Sequence, residues 1–172
     1  MRIGGQVRRR GKVSIRPGDR LPPVTLRSTA GRNVDLAAEA VNHHVIIFFY
    51  PGDRLGLRYP ELAGCTSEAC SFRDHLDTLH ALGAIVFGVS LQSTGRQRQF
   101  VEREHLSFEL LTDERRELAK ALGIPCWMSQ LGEWFVARTT VVVARGGPVA
   151  YVFEDVEVDT HVEAVIKAVQ RL

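Results

Sequence analysis

Apolar residues fall along this chain in two rhythms. Val45-Ile46-Ile47-Phe48-Phe49 is an unbroken apolar run closed by Tyr50-Pro51-Gly52, which predicts a strand buried on both faces. Ala84 to Ser90 predicts a second. Between them Ala69, Phe72, Leu76 and Leu79 recur at three- and four-residue intervals, predicting a helix that begins at Cys65 and stops at Gly83. Residues 94–105 form a polar segment suited to a helix, with Phe100 and Val101 inward. Phe108 to Leu111 predicts a short strand, and Asp113 is expected to cap a helix carrying Leu118 and Leu122, closed by Gly123 and Pro125. Thr139–Ala144 and Val149–Phe153 flank Gly146-Gly147, a hairpin signal. Thr160 to Glu163 fits a capping box for a last helix striped by Val162, Val165, Ile166 and Val169. The order predicts an α/β protein, a mixed sheet covered on both faces. That is compatible with a thioredoxin-like sandwich, though periodicity alone leaves other α/β arrangements open.

Composition narrows the class. The 172 residues suit one domain, and 45% hydrophobic with 24% charged residues is ordinary for a soluble globular protein. No apolar stretch approaches the roughly 18 residues of a membrane span. Met1-Arg2-Ile3-Gly4-Gly5 carries no apolar signal core, so a cytoplasmic protein without membrane contact is expected. The net charge of +2 conceals six basic and no acidic residues in 1–16, which leaves −4 on the rest. Residues 1–16 therefore read as a basic N-terminal extension, expected to be solvated rather than to hold nucleic acid, and 17–172 as the domain. The histidines at 43, 44, 75, 80, 105 and 161 lack metal-site spacing, and Gly146-Gly147 has no P-loop lysine after it. Neither a metal nor a cofactor is expected.

The chemistry is expected at Gly64-Cys65-Thr66-Ser67-Glu68-Ala69-Cys70-Ser71-Phe72-Arg73-Asp74. A cysteine at a helix start meets free N–H groups and the positive end of the dipole, which favour thiolate. A second cysteine five residues on can capture the oxidised first. In an intact helix, however, five positions mean a rotation of about 140° and a rise of about 7.5 Å, so the thiols point apart. A disulfide between them needs the helix start to unwind. Cys126, after Ile124-Pro125, reads as a packed loop cysteine.

Phe48-Phe49-Tyr50-Pro51, Gly64-Cys65-Thr66, Glu68-Ala69-Cys70, Phe72-Arg73-Asp74, Leu111-Thr112-Asp113 and Arg138 at the head of a strand resemble the Q-type peroxiredoxins, also called bacterioferritin-comigratory proteins. The resemblance covers most of residues 17–172. It implies a thioredoxin-like fold and thiol-dependent reduction of hydrogen peroxide or organic hydroperoxides, recycled by thioredoxin or a similar dithiol, in a monomer or homodimer. It implies that Cys65 is the peroxidatic cysteine, Cys70 the resolving cysteine of an intramolecular disulfide, and Arg138 the arginine that stabilises the thiolate. The chain departs from the family's Pro-x-x-x-Thr-x-x-Cys loop. Pro51 stands fourteen residues before Cys65, Leu62 occupies the threonine's place, and no serine or threonine lies between. About seven residues near Asp53–Tyr59 are extra. Thr66, Tyr50 and Pro51 are therefore candidates to orient substrate, with Tyr59 or a loop N–H as further donors. The alternatives are a thiol–disulfide redox protein or sensor, or a binding module that uses the inserted loop.

Overall fold

The structure, a computed structural model, describes residues 12–172. The strands are β1 (Thr25–Ser28), β2 (Asn33–Asp35), β3 (His44–Phe49), β4 (Ala84–Ser90), β5 (Glu109–Thr112), β6 (Cys126–Met128), β7 (Trp134–Val136), β8 (Thr139–Val143) and β9 (Val149–Glu154). The helices are α1 (Leu36–Glu39), α2 (Cys65–Asp74), α3 (Leu76–Ala81), α4 (Thr94–Glu104), α5 (Glu117–Leu122) and α6 (Val158–Val169).

Seven strands form one sheet in the order β2-β1-β5-β4-β3-β8-β9. The β5-β4-β3 centre is parallel and the flanks are antiparallel. The β3 run was expected to be buried on both faces, and alternation along it shows why. Val45, Ile47 and Phe49 point into one core layer with Leu36, Leu118 and Leu122. Ile46, Phe48 and Tyr50 point into the other with Phe72, Leu79, Phe100 and Val165. Phe48 stacks on Phe72 with centroids 4.6 Å apart, which fastens α2 to the sheet. Truncating either ring would cost about 3–5 kcal/mol. The result is the thioredoxin-like α/β sandwich, with α1 and α5 on one face and α2, α3, α4 and α6 on the other.

Several boundaries differ from expectation for local reasons. The helix expected through residue 82 breaks at His75, whose ring Nδ1 lies 2.8 Å from the Ser71 carbonyl. Asp113 does cap α5, accepting from the Leu118 and Ala119 N–H groups at 3.2 and 2.9 Å, but across an intervening turn, so α5 starts only at Glu117. The capping box at Thr160 is not used. The helix α6 begins at Val158, which leaves Thr160 and Glu163 inside it and His161 facing the core. The β6–β7 hairpin was not anticipated. Most of the basic extension lies outside the described residues. Its end packs against the domain, with Val13 and Ile15 buried and the Ile15 N–H donating to the Leu122 carbonyl at 3.0 Å.

Candidate active site

The chain leaves β3 at Phe49, turns at Pro51-Gly52, and runs through two short 3-10 turns, Leu55–Leu57 and Pro60–Leu62, before α2 begins. Gly64 takes φ +104, and a Cβ there would sit 3.1 Å from Val158 Cγ2 at the start of α6. Glycine therefore permits both the turn and the close approach that sets Cys65 as the first residue of α2. No side chain caps this end of the helix. The inserted segment has a small core of its own, with Leu55, Leu62 and Phe135 buried and Tyr59 and Trp127 against them. It leans on the β6–β7 hairpin, where the Tyr59 hydroxyl donates to Glu133 Oε2 at 2.8 Å and Arg58 reaches the same oxygen at 3.3 Å.

Cys65 is 4% exposed. Its thiol lies 3.7 Å from the Leu62 carbonyl, Arg138 Nη2 stands 3.3 Å from the sulfur, and the Gly52 N–H faces it closely enough to favour its thiolate form. The same Nη2 donates to the Ala63 carbonyl at 3.3 Å, and Nη1 pairs with Glu68 Oε2. Three positions beyond Cys65 on α2, Glu68 falls on the same buried side of the helix. Its Oε1 finds no hydrogen-bond partner among the described residues.

One cation thus stands between two groups able to become anions. Burial pushes the Glu68 carboxyl up to about 7, with the Arg138 charge and hydrogen bond pulling the other way. Burial also pushes the Cys65 thiol up, opposed by Arg138 and the Gly52 N–H and reinforced by Glu68. The helix start and the arginine alone predict a lowered thiol. Near-complete burial beside a carboxyl group overrides them here. His161 lies close by on α6. Its Nε2 and the Thr140 hydroxyl are 2.7 Å apart, and burial, with the Arg138 charge, pushes its imidazole down to about 4.

A cavity of about 460 Å³ opens over Cys65, walled by Leu55, Leu57, Leu62 and Ala63, with Arg54 and Thr66 as side chains carrying polar groups. Of the sequence candidates for orienting substrate, Thr66 lines this cavity, while Tyr50 and Pro51 are buried and do not. Tyr50 packs between Phe48 and Phe100, where burial raises its phenol above the ordinary value. Tyr59 is committed to Glu133. Among the donors considered, the one that reaches the sulfur is a loop N–H, that of Gly52. Cys70 lies further along α2, half-buried, its Sγ 3.7 Å from Glu104 Oε2. All three cysteines are free, and burial pushes Cys126 up to about 11. Two residues went unassigned from sequence, Glu68 and Gly52. The i, i+3 spacing from Cys65 was the available signal for Glu68, whereas a backbone donor leaves none.

A thioredoxin-like sandwich that sets a buried cysteine at a helix start against a strand-borne arginine defines a class of thiol proteins, and comparison with known proteins narrows it. The AhpC/TSA family profile matches residues 17–152. The chain is 32% identical over 161 residues to chloroplastic peroxiredoxin Q of Sedum lineare, covering 93% of this chain and 81% of that one. It is 31% identical to a putative peroxiredoxin bcp of Coxiella burnetii, covering 90% and 98%. Peroxidoxin BcpB from Mycobacterium tuberculosis superposes with a TM-score of 0.78 at 26% identity, covering 91% and 97%. This chain belongs to the AhpC/TSA family, within its Q/Bcp group of peroxiredoxins.

Proposed function

We propose that this protein is a two-cysteine peroxidase that reduces hydrogen peroxide or an organic hydroperoxide through Cys65. The observation that carries the reading is the 3.3 Å approach of the Arg138 guanidinium to the Cys65 sulfur beneath an open cavity. The Cys65 thiolate attacks one peroxide oxygen and the O–O bond breaks. The sulfur becomes a sulfenic acid, and the other oxygen leaves as water or alcohol after taking a proton. Arg138 holds the thiolate and stabilises charge on the departing oxygen. Cys70 then condenses with the sulfenic acid, and an external dithiol such as thioredoxin reduces the resulting disulfide.

The apolar walls supplied by Leu55, Leu62 and Ala63 suit a hydroperoxide with a hydrocarbon body, and Thr66 is the side-chain hydroxyl at the cavity. No helix among the described residues is long and apolar enough to cross a membrane. We place the protein in the cytoplasm, as a monomer or homodimer. Stopped-flow oxidation of the reduced protein by hydrogen peroxide and by cumene hydroperoxide tests the reading, with the Cys65→Ser variant as control. The expected result is a second-order signal that this variant abolishes. Unreactive native protein with a titratable Cys65 would instead support the redox-sensor alternative.

A further inference from the structure

The helix α4 ends against the second half of α2, and one short line of contacts there joins the surroundings of both thiols. Cys70 Sγ is 3.7 Å from Glu104 Oε2, and Arg73, three residues beyond Cys70, donates to the Glu104 carbonyl at 2.5 Å. Arg103 Nε donates to Glu104 Oε1 at 3.0 Å, while its Nη2 reaches Asp53 Oδ1 at 2.6 Å. Asp53 is 5% exposed and follows Gly52, whose N–H meets the Cys65 sulfur. Arg103 also sits over the Phe100 ring, 5.5 Å from its centroid, so its position is fixed from both sides.

These contacts have a direction. Joining Cys65 to Cys70 requires their Cα atoms to come within about 7 Å, and an intact helix holds the thiols apart. Arg138 and the loop around Leu62 grip the Cys65 sulfur, so closure falls to the turn that carries Cys70, which must leave Glu104 and pull on the bond from Arg73 to the Glu104 carbonyl. Glu104 cannot follow, because Arg103 ties it to the buried Asp53.

We propose that Arg103 and Glu104 form a latch in which Glu104 is a positioning residue, holding Cys70 docked on intact α2 and thereby setting the rate of disulfide formation rather than the rate of peroxide attack. This rests on the reading of Cys70 as the resolving cysteine. The step it governs is the reaction of Cys65 sulfenic acid with the Cys70 thiol. A sulfur–sulfur bond forms, the sulfur–oxygen bond breaks, and the hydroxyl leaves with the thiol proton as water. Burial and the Glu104 carboxylate hold the Cys70 thiol in its protonated form, opposed by Arg73.

The test follows tryptophan fluorescence after mixing reduced protein with excess hydrogen peroxide, with mass analysis of quenched samples assigning the phases. It compares the native protein with Glu104→Ala, Glu104→Gln and Arg103→Met. The phase linear in peroxide is expected to stay within twofold of native in every variant. The peroxide-independent phase is expected to accelerate about fivefold in Glu104→Ala, and less in Glu104→Gln, whose amide oxygen still accepts from the thiol. Alkylation of Cys70 in the reduced Cys65→Ser background should shift to lower pH once Glu104 is removed, with Arg73 and Asp74 left in place. A native protein that forms the disulfide at the same rate as Glu104→Ala overturns the latch alone. A native protein whose Cys65 oxidises with Cys70 still reduced overturns the resolving role, and the latch with it.

Discussion

The two ends of α2 hold their thiols in opposite ways. At the start, Cys65 is almost inaccessible, and its sulfur meets the Leu62 carbonyl, the Gly52 N–H and a guanidinium that itself clasps a fully buried carboxyl. Five residues on, Cys70 is half-buried and its sulfur makes one long contact with Glu104. The first arrangement is over-determined and preorganised, with its donors already in place before any reaction. The second is easily broken. One helix thus carries both a fixed reaction centre and a segment that can let go, and the difference lies in how many independent groups grip each sulfur.

The largest effect that separates the two ends should come from Arg138. Replacing it with Gln removes the cation beside the sulfur, and second-order oxidation of Cys65 should fall about a hundredfold, or about 3 kcal/mol of barrier. Alkylation of Cys70 in the same variant should keep the native rate. Stopped-flow oxidation and timed alkylation measure both, and an equal loss at Cys70 would erase the contrast.

The next effect concerns pH and belongs to the Cys65 end alone. An unfolded histidine takes its proton near 6.5, whereas folded His161 resists until about 4. The unfolded chain therefore binds more protons between those values, and His161 makes stability fall on acidification there, by up to about 3 kcal/mol. Glu68 works in the opposite sense. The folded chain keeps its proton up to about 7 while the unfolded chain releases it near 4.5, so stability falls as pH rises through that window. In the native protein the two slopes oppose each other. Denaturation in urea at several pH values should show the acid limb steepening in Glu68→Gln and flattening in His161→Gln. A Glu68→Gln curve parallel to native would remove Glu68 from this balance.

The smallest effect is expected at Leu62. The sulfur's partners nearby are the backbone carbonyl of residue 62 and the backbone N–H of Gly52, neither of which depends on the side chain at 62. Leu62→Thr should change the rate of oxidation by less than about threefold, compared with the hundredfold typical of losing a preorganised donor. It should lower stability by about 1–2 kcal/mol, because Leu62 packs with Leu55 and Phe135. A tenfold faster enzyme would mean that the missing hydroxyl limits the native protein.

The fold was legible wherever burial imposed a period. The continuous runs at 45–49 and 84–90 lie at the centre of the sheet because each buries alternate residues in two different layers. The ends of elements were less legible where a single side chain decides them, as His75 does at the break after α2 and Asp113 does from four residues before α5. The Cys65–Arg138 pairing was accessible through the motif. The direction of the thiol's shift was not, because it depends on a burial that the helix start does not disclose. Nor was the line through Asp53, Arg103 and Glu104, which joins segments far apart in sequence through charged residues that read as solvated surface.

The small separate core under the inserted segment has a bearing on how this part of the molecule can change. Leu55, Leu62 and Phe135 bury one another apart from either main layer. Residues 54–59 can therefore be exchanged, lengthened or trimmed as a module, with Phe135 and Trp127 of the hairpin as the socket that any replacement must fill and Asp53 kept as the anchor of Arg103. A lineage or an engineer that rewrites this rim alters what enters above Cys65 while the strand, the helix and the arginine that hold the sulfur stay as they are. In this protein the replaceable rim and the reacting sulfur meet at two backbone groups, the Gly52 N–H on one side of the segment and the Leu62 carbonyl on the other.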